Sequence, residues 1–257
     1  MKSYEKLFYR SALLGAAFAA QFAIAGAASA AGNLIQNGSF EVSGTGLFWG
    51  VGGVAGWQMS GTAGDGYFPV DIQYNQNGSY PNGAQGESVP IDSAPSLSPD
   101  GAGNYGVYFV SDRATNLAIS QSVFLAAGSY DVGFDSYFTH NGYAQPGDAN
   151  LTATIARTQV ANIDLNSITP GVWTTHAGKA LIATAGFYSV NFVFNTPDAP
   201  LNSKDVVIDQ AYILADASGG GIPINAVPEP STWAIMLLGF GFTGAAARLR
   251  KTKFRTV

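Results

Sequence analysis

Seven aromatic residues interleaved with amides and carboxylates are the side chains here best suited to chemistry: Trp49, Trp57, Tyr67, Tyr74, Tyr80, Tyr137 and Tyr143. A sugar ring has an apolar face and hydroxyl edges, so flat aromatic platforms beside amides and carboxylates suit it. The densest such stretch is Tyr74-Asn75-Gln76-Asn77-Gly78-Ser79-Tyr80, with Asn82 and Asp135 as further polar partners. Tyr74, Asn75, Tyr80 and Tyr137 are therefore the ligand-binding candidates. The competing reading of any one of these rings is core packing, and Trp57 after Gly56 reads that way.

Catalytic patterns are thin by comparison. His140 and His176 form no His-x-His or His-Glu-x-x-His spacing, and no Gly-x-Ser-x-Gly elbow accompanies them. Asp131 and Asp135 share a strand face but lie about 13 Å apart along an extended chain, outside the roughly 5 to 9.5 Å of a glycosidase pair. The chain has no cysteine, which excludes disulfides, thiolate metal sites, a cysteine nucleophile and a lipoprotein anchor.

The elements that must position these residues read as strands. Tyr130 to Phe138 alternates, with Tyr130, Val132, Phe134 and Phe138 on one face and Asp131, Asp135 and Tyr137 on the other. Phe187 to Phe194 repeats this with Tyr188, Val190, Phe192 and Phe194 inward. Tyr105–Phe109, Ile119–Leu125, Leu151–Ile155 and Val206–Leu214 supply further strands, punctuated by Gly, Asn, Ser, Pro and Asp. An all-β fold of two packed antiparallel sheets is expected. Residues 44–66 and 74–103 are loop-rich and are expected at an end or rim of the sandwich.

Charge and the two termini set the compartment. Residues 31–227 hold four basic and fifteen acidic residues, a formal charge of −11 that repels nucleic acid and excludes that partner class. Lys2, Lys6 and Arg10 precede an apolar run from Ala12 to Gly26 and the small-x-small motif Ala28-Ser29-Ala30, which predicts a signal peptide over 1–30 and a mature chain from Ala31. The sandwich is expected over 31–217 and a flexible linker over 218–227. From Ser231 to Ala247 no charge occurs, and a helix of that length is roughly 26 Å, near the lower limit for a bilayer core. Arg248, Arg250 and Lys251, followed by Lys253 and Arg255, would hold the C-terminus in the cytoplasm.

Val227, Pro228, Glu229 and Pro230 lead into that span, and Pro228 to Ala234 with Leu238-Gly239-Phe240 resembles the PEP-CTERM sorting signal over 228–257. The resemblance implies an exosortase-type processing protease as partner and an inner-membrane intermediate. The mature protein would then reach the cell surface or extracellular space.

Asn33 to Glu41, Ala118 to Val123 with Ala127 to Tyr130, and Val207 to Ala211 are similar to the opening strand, central hairpin and closing strand of galactose-binding-like jelly rolls, among them many carbohydrate-binding modules. This implies first and last strands lying side by side. It also implies a structural calcium there, on Glu41 and Asp209, its shell completed by backbone carbonyls near Asn37. The expected function is non-enzymatic association with extracellular polysaccharide. The alternatives are a self-associating structural matrix protein and a glycan hydrolase.

Overall fold

Alternating apolar and polar residues sort this chain into two sheets that share one core. The computed structural model describes residues 32–42, 53–196 and 204–216; the expected signal peptide, the linker and the sorting segment with its span lie outside the described residues. Among the described residues stand ten strands, β1 (Gln58–Thr62), β2 (Val70–Gln73), β3 (Tyr105–Phe109), β4 (Thr115–Leu125), β5 (Gly128–Phe138), β6 (Asn150–Ile155), β7 (Thr158–Asp164), β8 (Trp173–Ile182), β9 (Gly186–Asn195) and β10 (Val206–Ala215), and one helical turn, α1 (His140–Tyr143). One sheet runs β1-β4-β9-β6-β7 and the other β2-β3-β10-β5-β8, every pair antiparallel. Successive strands cross repeatedly between the sheets, which makes the domain a jelly-roll sandwich.

The expected inward rows are found in place. Val132 and Phe134 of β5 and Val190, Phe192 and Phe194 of β9 are fully buried. Rings join the two sheets: Phe134 meets Phe192 edge-on at 5.0 Å, and Phe109 meets Phe194 at 5.7 Å between centroids. Trp57 packs on Phe40 and Phe192, as a core residue should. Each such ring stabilises the fold by about 1.5–3 kcal/mol through burial.

Residues 33–41 depart from the expected strand. Positive φ at Asn37 and Phe40 folds them into turns, because neither position can continue an extended chain. They still lie against β10: Leu34 N–H donates to Ile213 O and Ala211 N–H to Gly38 O. The Asn33 side chain imitates a strand peptide, donating to Ala211 O at 2.8 Å and accepting from Ile213 N–H at 3.1 Å. A side chain at Gly38 would meet Ala211 O at 2.1 Å, so only glycine permits this approach. The segment thus takes over where β3, which pairs with β10 only at 206–208, stops.

The loop-rich stretches also differ from expectation. Residues 58–62 form β1, and most of residues 74–103 fold over the outer face of the second sheet and build a smaller core, with Gln85 reaching one end of the sandwich. Val70, Ile72, Tyr74, Ala84, Val89, Tyr108, Tyr137, Trp173 and Val207 meet there. Apolar residues on both faces of β3, β5 and β10 require such a cover.

Strand register polarises the molecule. The β1–β2, β3–β4, β5–β6 and β7–β8 connections and the start of β10 share one end. The β6–β7 hairpin, the tight β4–β5 and β8–β9 turns that pass between the sheets, and the end of β10 share the other. Pairing slips by one residue within β1–β4 and within β6–β7, so a bulge marks each edge of the first sheet.

Candidate functional site

Tyrosine is amphipathic, so its fate depends on what lies above its ring. Tyr74 and Tyr137, both sequence candidates, are 3 % exposed and pack against Trp173 at 5.8 and 5.4 Å. The Tyr74 hydroxyl donates to Asp209 at 2.5 Å and that of Tyr137 to Glu87 at 3.1 Å. Their ring faces are covered, which corrects the expectation that sugars stack on them. Asn75 is exposed at a positive φ, its N–H bound to Val89 O in the loop. Tyr80 is half-buried and lies 4.6 Å from the ring of Tyr67, its hydroxyl on Phe68 O. The four candidates therefore belong to a covering loop and its floor, not to one open site.

A polar pocket of about 510 Å³ opens instead at the end carrying the long connections, lined by Asp65, Tyr67, Gln85, Val110, Asp112, Asn141, Gly142, Ala144, Gln145 and Asp205. Tyr67 is 41 % exposed and backed by Tyr80, which leaves one ring face toward solvent. Asp65 fixes two loops at once: one oxygen accepts from Tyr67 N–H and Ser111 hydroxyl, the other from Asp112 N–H at 2.9 Å. Amides of Gln85, Asn141 and Gln145 complete the wall. The sequence signal for Tyr67 was its place among the seven aromatics; the amides carried none, because they come from separate connections.

The floor is built around α1. Thr139 caps it, accepting from Gly142 N–H at 2.9 Å. Asp205, 3 % exposed, accepts from the Thr139 and Tyr108 hydroxyls beneath that turn. A side chain at Gly142 would overlap the Asp205 carboxyl, so glycine is required there. Burial pushes Asp205 up to about 6, although both hydroxyls oppose the rise. Lys204 donates to Tyr143 O at 2.8 Å and Gln145 O at 3.0 Å and sits 4.8 Å over the Tyr143 ring. It closes the C-terminal side of α1 as a cation should. Burial raises Glu87, but bonds from Asn141 N–H and His140 outweigh it and hold the carboxyl below its usual value.

Glu41 accepts from Asn104 N–H at 2.8 Å and Tyr105 N–H at 2.9 Å. Asp209 is fully buried, and Tyr74 and Gln210 N–H donate to its two oxygens. Asn37 O and Gly38 O, the carbonyls expected to complete a shell, accept from Phe40, Trp57 and Ala211. Calcium takes six to eight oxygens with free lone pairs. These oxygens thus serve as acceptors within the fold, and among the described residues no group of three His, Asp or Glu is set for a metal.

His176 lies 2.8 Å from Ser136 and stacks on Phe134. Ser136 has no exposed surface, so the pair cannot meet a substrate. Asp135, also fully buried, has neither oxygen in hydrogen-bond geometry with a partner. Burial, then the neighbouring Asp135, pushes Asp92 up to about 7. Burial likewise raises Asp135, so both carboxyls resist ionisation. Neither residue lines the pocket.

A family model described as the PEP-CTERM protein-sorting motif matches residues 226–251. The chain carries a PEP-CTERM sorting motif. Comparison with curated proteins gave no match. Among solved structures, TmCBM61 in complex with beta-1,4-galactotriose is similar at 19 % identity over 72 % of this chain and 99 % of that one, TM-score 0.43. The CBM22-1 xylan-binding domain of Paenibacillus barcinonensis Xyn10C gives 14 % identity over 73 % and 97 %, TM-score 0.39. The enzymatically active domain of bacteriophage CBA120 tailspike protein 4 gives 11 % over 72 % and 21 %, TM-score 0.40. The PEP-CTERM match contains Val227, Pro228, Glu229 and Pro230 together with Arg248, Arg250 and Lys251, all outside the described residues; Ala28, Ala30 and Ala31 also lie outside them.

Proposed function

We propose that this is an exported, non-enzymatic surface or matrix protein whose rim pocket holds a neutral polysaccharide after exosortase-type processing at Val227 to Pro230. One observation carries the binding half: an exposed tyrosine backed by a second ring, with three amides and fixed carboxylates around it. The ring face suits the C–H side of a pyranose, and the amides and carboxylates suit its hydroxyls. Asp65, Asp112 and Asp205 make the pocket acidic, which favours neutral sugars over uronic acids or sulfated chains.

Binding is tested with the full-length chain on an array of neutral and anionic glycans. Neutral glycans are expected to bind, Tyr67→Ala is expected to weaken them at least about tenfold, the loss of one aromatic contact of about 1.4 kcal/mol or more, and melting is expected to stay unchanged. Binding confined to anionic glycans, or untouched in Tyr67→Ala, rejects the pocket. Release of reducing ends from a bound glycan would reject the non-enzymatic reading. Processing is tested by intact mass: Glu229→Ala is expected to accumulate uncut in the membrane fraction, and normal release of that variant would reject cleavage at this motif.

A further inference from the structure

The end of the sandwich opposite the pocket has a different character. Leu181 is 83 % exposed and Phe187 74 % exposed, while Phe124, 37 % exposed, meets Phe187 edge-on at 5.3 Å. Strand pairing sets Phe124 directly opposite Phe187, and Leu181 opposite Ser129, so these side chains crown the β4–β5 and β8–β9 turns together. Between them the chain from Ala183 to Gly186 carries only small residues, and a shallow cavity of about 450 Å³ runs from Arg157 to Phe187. The Arg157 guanidinium lies 5.0 Å over the Tyr188 ring.

Arg157 and Lys179, two of only four basic residues in 31–227, lie at this end. Lys179 pairs with Asp131 at 2.8 Å and Asp216 at 3.0 Å. An apolar, aromatic tip with the Arg157 guanidinium beside it suits the headgroup boundary of a bilayer, where aromatic and basic residues settle. The described chain leaves the sandwich here: Asp216 N–H donates to Ser129 O. Fourteen residues, 217–230, separate it from the apolar run at 231–247. A Gly-rich chain of that length, as the sequence leads one to expect here, spans roughly 20 Å on average. At that tether length even weak docking is favoured, because local concentration is in the millimolar range.

We propose that this end, led by Leu181 and Phe187, rests on the outer surface of the inner membrane while the tail anchors the chain, and so turns the pocket outward. The inference rests on reading 231–247 as a membrane span. The absence of cysteine makes single-site labelling clean. Full-length chain carrying L181C, F187C or N141C, each labelled with an environment-sensitive fluorophore, is reconstituted into phosphatidylethanolamine–phosphatidylglycerol vesicles and floated. A blue shift and quenching by nitroxide lipid at 181 and 187, with neither at 141, is the expected result. Co-flotation without a shift at 181 and 187 overturns the docking and leaves the tail reading intact. Failure to co-float overturns both. A shift that grows with protein concentration without lipid assigns the tip to a second copy and overturns the proposal.

Discussion

Single residues decide more here than their size suggests. Gly38 and Gly142 each sit where a methyl group would collide with the neighbouring Ala211 carbonyl or the Asp205 carboxyl. Gly38→Ala is expected to destabilise the domain by about 1–3 kcal/mol, the usual cost of overpacking. Thermal unfolding would show it as a lowered Tm with the pocket still able to bind. An unchanged Tm would mean that residues 33–41 do not hold β10. Asn37-Gly38-Ser39 could be read in the sequence as a turn or as part of a strand; its role as a clip could not. That role depends on Asn33 bonding β10 at residues nearly 180 positions away.

At the scale of elements, α1 is a single turn held mainly by what surrounds it. Lys204, just before β10, bonds the Tyr143 carbonyl at its end and the Gln145 carbonyl just beyond it. Lys204→Met keeps the apolar stem and removes the charge, so amide exchange over 140–145 should quicken while β5 and β9 stay protected. Glycan affinity should fall, because Asn141 and Gln145 lose their platform. Uniform exchange across the variant would show that the turn is held by Thr139 and Glu87 alone.

Legibility follows the same division. β5 and β9 announced themselves because one face is aromatic or aliphatic at every second residue. β1, β2, β7 and β8 did not, since Gln58-Met59-Ser60 or Thr174-Thr175-His176 carries little alternation and sits at sheet edges. The Tyr74 loop had the right residue types for a sugar site. Its tyrosine faced the sheet because the outer face of β3, β5 and β10 was itself apolar and needed a cover, a fact that appears only once the sheets are assembled.

For the whole molecule, buried carboxyls set the response to pH. Burial pushes Asp92 to about 7, Asp205 to about 6, and Asp209 well up. Between roughly pH 4, where unfolded carboxyls ionise, and about 7, the native chain holds protons that the unfolded chain has lost. Unfolding then releases protons, so stability falls as pH rises through this window. Tm is expected to be higher at pH 5 than at pH 8, and Asp92→Asn should flatten the upper part of that slope. A Tm that climbs steadily from pH 5 to pH 8 would contradict the protonated state assigned to these groups. Glu87, held below its usual value, acts in the opposite sense and only in more acidic solution.

The bulges flanking the first sheet bear on how many copies can live together. A straight, open strand invites a neighbour's backbone, and successive additions grow a fibre. Here both borders of that sheet are kinked, by slips at Ser60–Thr62 and Ala153–Thr154. Crowded at a cell surface, these molecules should jostle as separate particles, and light scattering of concentrated, lipid-free protein should report no strand-by-strand growth.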